Sequence, residues 1–193
     1  MSSYYYFAAT LPALRYDSPP PMGYAEFLER ASYCLNPRDL SVVEGARLYI
    51  PEDGSYPPSS GMSPLLTRYY RWERALRNEL ARLRAQRIQK TADRFVRPGE
   101  LEWDGVRVAQ AAFQADDPLQ SELTIERERW SFIEFHAANH FFDIDCLAAY
   151  ALLLQALERR ARFTAEAGEA GYGTVYRSVL DTAEYRDESG EQR

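Results

Sequence analysis

The two histidines of the chain, His136 and His140, stand four residues apart. On a helix that spacing turns both rings to one face. With Asp143, Asp145 and Cys146 close behind them, a zinc site is one reading. The local pattern argues against it. A metalloprotease helix needs Glu directly after its first His, and Ala137 stands there. The Glu-x-x-His unit of di-iron bundles is missing too, because Glu134 lies two residues from His136. His140 falls at a predicted helix end, where the dipole favours a cation. We therefore expect polar helix-end packing at His136 and His140, and no metal.

A second feature is a stripe of arginine. From Arg68 to Arg97 the chain carries nine Arg and Lys90 against Glu73, Glu79 and Asp93. Such a helix docks an acidic partner, binds RNA, or is a solvated face whose arginines pair with acids elsewhere. The whole chain has a net charge of −6, which disfavours nucleic acid. A third feature is the alternation Ile125-Glu126-Arg127-Glu128-Arg129-Trp130. If Glu126 shares the apolar face with Leu119, Leu123 and Trp130, it is semi-buried and needs a cation. An arginine of the 64–97 helix is the expected source, with a structural role rather than that of a catalytic acid.

Enzyme signatures are lacking. There is no G-x-S-x-G, no glycine-rich phosphate loop and no G-x-G-x-x-G. Cys34 and Cys146 form no C-x-x-C unit and read as buried, reduced thiols. No apolar run approaches the roughly 18 residues of a membrane span, and the N-terminus has no basic region of a secretory signal. These readings point to a cytoplasmic protein that is not an enzyme and needs no cofactor.

The elements that must position these residues are mostly helical. The 193 residues are 46% hydrophobic, enough for a substantial core. Tyr4 to Pro12 is apolar and aromatic, either a short strand or a buried helical turn. Tyr24 to Leu35 reads as an amphipathic helix. Asn36-Pro37 caps and opens a second, carrying Leu40 and Val43, with Leu48 next in line. The segment 51–63 is rich in Pro, Gly and Ser and reads as a loop. Ser63-Pro64 starts a long helix that meets no Gly or Pro until Pro98. The spacing predicts it over 64–97. Trp103-Asp104-Gly105-Val106 suggests a tight turn between short extended pieces, though Val106 to Ala115 suits a short helix equally well. Asp116-Asp117-Pro118 and Asp143 start helices over 117–138 and 143–167, and Thr174 to Tyr185 suggests a last short one. The expectation is a single mainly α domain over 1–193, a bundle with long antiparallel helices. Strand is confined to 4–10 and 98–108 at most, and 187–193 reads as a frayed tail. Leu80, Trp130, Leu147 and Leu154 should be buried.

Several motifs together resemble a bacterial domain family of unknown function. They are the opening Tyr4-Tyr5-Tyr6-Phe7-Ala8-Ala9-Thr10-Leu11-Pro12, then Pro64-Leu65-Leu66 through Tyr70-x-Trp72-Glu73 to Arg77-Asn78-Glu79-Leu80-Ala81. Pro118-Leu119, Arg129-Trp130, Phe142-Asp143-Ile144-Asp145 and Tyr150-x-Leu152-x-Leu154 with Glu158-Arg159 complete the set. Members of that family are typically encoded among the subunits of bacterial V-type (A/V-type) ATPases, where the conventional C-type (or d-type) adaptor would be expected. The resemblance implies a non-catalytic, all-helical adaptor between the central stalk and the membrane rotor ring. It would support proton or sodium transport coupled to ATP and meet the membrane only through the complex. No catalytic residue is implied. For such an adaptor, Arg71, Trp72 and Arg74 are the expected partner-binding residues. Tyr69, Tyr70 and Trp72 diverge around the helix, so part of this set should lie outside the core. The alternative is an internal cluster with Trp72 covered by Tyr4 to Phe7.

Overall fold

Four side chains close the starts of four helices, each by accepting a hydrogen bond from a backbone N–H two or three residues on. Asn36 accepts from Asp39 at 3.0 Å and Ser63 from Leu66 at 3.0 Å. Asp117 accepts from Leu119 at 3.0 Å and Asp143 from Cys146 at 2.9 Å. A proline follows three of these caps at the first helical position, where its missing N–H costs nothing. The computed structural model describes residues 4–49, 63–100, 102–115 and 117–162. Within them the chain is mainly α, with seven helices and no strand. They are α1 (Tyr4–Thr10), α2 (Tyr24–Cys34), α3 (Pro37–Glu44), α4 (Pro64–Arg87), α5 (Trp103–Phe113), α6 (Pro118–Ala137) and α7 (Ile144–Arg160). The loop expected over 51–63 lies outside the described residues except for Ser63, the buried cap of α4. The helix expected over 174–185 and the tail 187–193 lie wholly outside them.

The core is organised around α7. Leu147, Leu152, Leu154 and Leu157 are buried together with Ala148, Ala149, Ala151 and Ala156. Most of the circumference is therefore apolar, the pattern of a helix enclosed by others. It packs against α1, α2, α3, α4 and α6. Gln155 ties it to the chain after α3: Leu48 N–H donates to Gln155 Oε1 at 3.1 Å, and Gln155 Nε2 donates to Ala46 carbonyl at 2.6 Å. Leu48 thus lies in the core, although α3 ends at Glu44. Leu80, Trp130, Leu147 and Leu154 are all buried.

Two expected elements are corrected, and the helix expected over 143–167 ends at Arg160, with 163–167 outside the described residues. The first is the 64–97 helix, whose helical part stops at Arg87 after 24 residues, about 36 Å. No Gly or Pro marks the stop. Gln89 takes a left-handed backbone, φ 53°, and Lys90 N–H donates back to Ala85 carbonyl at 2.9 Å. The chain then returns along α4. Asn78 clamps it twice, donating to Arg97 carbonyl and accepting from Arg97 N–H, both at 2.8 Å. The Arg74 guanidinium packs on Gly99, and Arg71 pairs with Glu100 at 3.2 Å.

The second correction is the tight turn at 103–106, which is the first turn of α5. Gly105 serves there as a contact point. A Cβ on it would come within 2.8 Å of Trp72 carbonyl and 3.0 Å of Leu76 N–H. Its hydrogen lets α5 sit against the α4 backbone, with Ala109 and Ala112 continuing the seam. At the N-terminus, residues 4–10 are helical, and Phe7 stacks on Phe27 with ring centres 5.8 Å apart.

Candidate functional site

The most concentrated charge in the interior is a chain of alternating acids and arginines linking α4, α6 and α7. Glu73 on α4 is fully buried. Arg129 on α6 reaches it with two bonds, Nε to Oε2 at 3.0 Å and Nη2 to Oε1 at 3.1 Å. Arg77, one turn along α4, donates to the same Oε1 at 2.8 Å. The other end of the Arg129 guanidinium bonds Glu126, three residues back on α6. Glu126 Oε1 also accepts from Arg159 of α7 at 2.6 Å, and Arg159 reaches Glu122 at 3.0 Å. Three carboxylates thus face three guanidiniums. α4 and α6 each supply both signs, and α7 supplies a guanidinium. Glu126 is buried, as the alternating motif suggested. Its cations come from α6 and α7, whereas α4 contributes the opposing acid. The expected partner from 64–97 is therefore corrected to Arg129 and Arg159.

The two acids differ. Burial pushes Glu73 up, but Arg129 and Arg77 together outweigh it and hold its carboxyl below the usual range. Burial also pushes Glu126 up, and there Arg129 and Arg159 compensate only in part, so it stays raised. Geometry agrees: Glu126 Oε2 makes no hydrogen bond among the described residues. Burial disfavours the Arg129 cation, yet Glu73, Tyr69 and Glu126 outweigh that and hold it charged. Sliding any of the three helices would part a buried charge from its partner, so this chain fixes their relative placement.

Beside it runs a column of rings. Tyr69 stacks near Trp72 at 6.4 Å, Trp72 on Phe132 at 4.9 Å and Phe132 against His136 at 4.3 Å. Tyr69, Tyr70 and Trp72 are all buried, Trp72 to 2% exposure. This corrects the expectation that part of the set faces outward. α4 is enclosed by α5, α6 and α7, so directions 100° apart all find cover. Tyr69 donates to Leu48 carbonyl at 2.9 Å and Tyr70 to Gly45 carbonyl at 2.7 Å. The Trp72 ring stacks on Phe132 of α6 and is not covered by Tyr4 to Phe7, whose helix packs on α2 and α7. Of the three expected partner-binding residues only Arg71 is exposed; Arg74 is half-buried against Gly99.

The histidines part company. α6 ends at Ala137, so His140 stands in the turn beyond it and not on its face. His140 Nδ1 meets Asp143 Oδ2 at 2.6 Å, while the other oxygen of Asp143 caps α7. That bond with Asp143 outweighs desolvation and raises the imidazole above its usual value. His136 packs between Phe132 and Phe135, with Nδ1 3.4 Å from an Arg68 guanidinium nitrogen. Burial and Arg68 lower it. Among the described residues no group of three or more His, Cys, Asp or Glu side chains gathers as a metal site would require.

Sequence reasoning missed Glu73, Arg129 and Arg159 as a unit. The signal was present for two of them. Glu73 lies four residues after Tyr69 and three before Leu76, and Arg129 lies midway between Ile125 and Ile133. Charges at those offsets sit on the apolar stripe and must be paired. Compared with known protein families, with curated proteins and with solved structures, the chain matches none. No helix among the described residues is long and apolar enough to cross a membrane.

Proposed function

We propose that the chain is a non-catalytic component of a bacterial V-type (A/V-type) ATPase, an adaptor of the central stalk in the manner of the C-type (or d-type) adaptor. One observation supports the reading beyond the sequence resemblance. The motif residues that carry the resemblance hold the helices to each other. Glu73 and Arg129 pair across two helices, Arg159 extends the chain to a third, Asn78 clamps the return segment and Trp72 stacks on Phe132 of α6. A motif that specifies cross-bracing suits a part that transmits force. A buried guanidinium with two-point geometry resists shear better than an apolar contact, because sliding breaks directed bonds.

The contact surface in this reading lies away from the brace. Arg71 is on it, and so are the exposed rings of Tyr5, Tyr6, Phe135 and Phe141. Tyr5 already meets Phe142 at 4.4 Å. Aromatic and arginine side chains are the types that anchor interfaces. The test is affinity capture of the tagged chain from native membranes. Stalk and rotor components are expected to co-purify in fixed ratio, and recovery of the tagged chain with none of them would overturn the reading.

A further inference from the structure

We infer that the end of the molecule formed by the last turn of α4 and the return segment is a docking surface for an anionic lipid bilayer. From residue 82 to 97 the chain holds Arg82, Arg84, Arg87, Lys90, Arg94 and Arg97 against one acid, Asp93. All six cations are exposed. Arg82 pairs with Glu79, while the side chains of Arg84, Lys90 and Arg94 make no ion pair among the described residues. The chain as a whole carries −6, so this end is opposite in sign to the rest. Two cations in a last helical turn would satisfy the helix dipole; six exceed that need.

The second observation is apolar. Ile88 is 62% exposed and Phe95 66% exposed, both within this cationic segment. The fold holds them there: Gln89 turns the chain with its left-handed backbone, and Asn78 pins Arg97 two residues beyond Phe95. Apolar groups among cations match the layering of a membrane interface, where side chains enter the acyl boundary beneath a negative headgroup plane. Single-stranded nucleic acid asks for successive rings to stack its bases, and this segment has only Phe95. A protein partner asks for cations held in fixed geometry, which Arg84, Lys90 and Arg94 lack. Nothing in this surface requires the ATPase reading.

The experiment is flotation of the purified full chain with vesicles of phosphatidylcholine alone, or with about one-third phosphatidylglycerol; no ATPase component is present. Binding is expected to the anionic vesicles only, and to weaken strongly at ~1 M salt, where the screening length falls to about 3 Å. The combined Arg84→Glu, Arg87→Glu, Lys90→Glu variant should bind at least about tenfold more weakly. Phe95→Ser should lose the binding that survives added salt. All four positions are exposed, so Phe95→Ser should keep the parent helix content and melting temperature; the charge-reversed variant should keep the helix content and melt lower, because Arg84 and Arg87 lie in the last turn of α4, and binding is compared well below both transitions. Equal binding to neutral vesicles overturns the inference, as does no binding to anionic ones at low salt. So does parent-level binding by the charge-reversed variant, or saturable capture of single-stranded RNA or polyglutamate by a chain that ignores vesicles.

Discussion

Glu73 and Arg129, 56 residues apart in the chain, meet through two hydrogen bonds of 3.0 and 3.1 Å in a place that neither shares with water. Removing one of them leaves the other charged and buried. Arg129→Met should cost about 3–5 kcal/mol in urea unfolding. Glu73→Leu should cost a similar amount, and the double variant much less than the sum, because Glu126 then keeps Arg159 and Arg77 is exposed enough to meet water. Additive losses would show that the pair is not coupled.

The two buried carboxyls should respond to acid with opposite signs. Glu73 is lowered in the fold, so its contribution is present above the ordinary carboxylate range and is lost as pH falls through its folded value. Glu126 is raised, so its contribution is present below that range, about pH 4.3, and is lost as pH rises through its folded value. The stability of the parent relative to Glu126→Gln should therefore improve as pH is lowered from neutral toward that range. For Glu73→Gln the difference should instead shrink below it. Chemical denaturation at a series of pH values reads both.

Gly105→Ala tests the α4–α5 seam. Alanine is normally the better helix former by about 1 kcal/mol. Here its methyl would press on Trp72 carbonyl and Leu76 N–H, and the change should destabilise by about 1–3 kcal/mol. A rise in melting temperature would show that the seam opens freely.

Asn78→Ala removes both clamps on the return segment. Thermal stability should fall by about 1–3 kcal/mol. Trypsin should then cut after Lys90 or Arg94 sooner than in the parent chain, with α7 still protected. Asn78→Asp keeps the acceptor for Arg97 N–H but sets a carboxylate against Arg97 carbonyl, so it should not rescue.

Trp72→Ala and Arg71→Glu separate packing from docking. The first should cost about 3–5 kcal/mol. The second should change stability by less than about 1 kcal/mol, since its pair with Glu100 is exposed. If Arg71 belongs to an interface within the ATPase, Arg71→Glu alone should lower co-purification with the stalk.

Much of this architecture is legible in the sequence because caps act locally. Asn36, Ser63, Asp117 and Asp143 need only a backbone N–H two or three residues away, and all four start helices where the pattern places them. The end of α4 is different. It is set by Asn78 reaching Arg97 and by a left-handed Gln89, neither of which carries a composition signal. The burial of Tyr69, Tyr70 and Trp72 together depends on how many neighbours surround α4, a tertiary fact that periodicity along one helix does not contain. The brace was half legible: Glu126 announces that it needs a cation, but which helix delivers it depends on the packing of α6 against α4 and α7.

The position of α7 has a consequence for synthesis. α1, α2 and α3 all bury side chains on it, and Leu48 waits for Gln155, 107 residues later. At about 5–20 residues per second, Phe27 and Val43 leave the ribosome on the order of ten seconds before their cover is made. During that interval the α4–return–α5 hairpin, whose partners are close in sequence, can form by itself, while the N-terminal helices remain open for a chaperone to hold. Truncation before Leu147 would make that interval permanent and leave Phe27, Val43 and Leu48 without the helix that covers them.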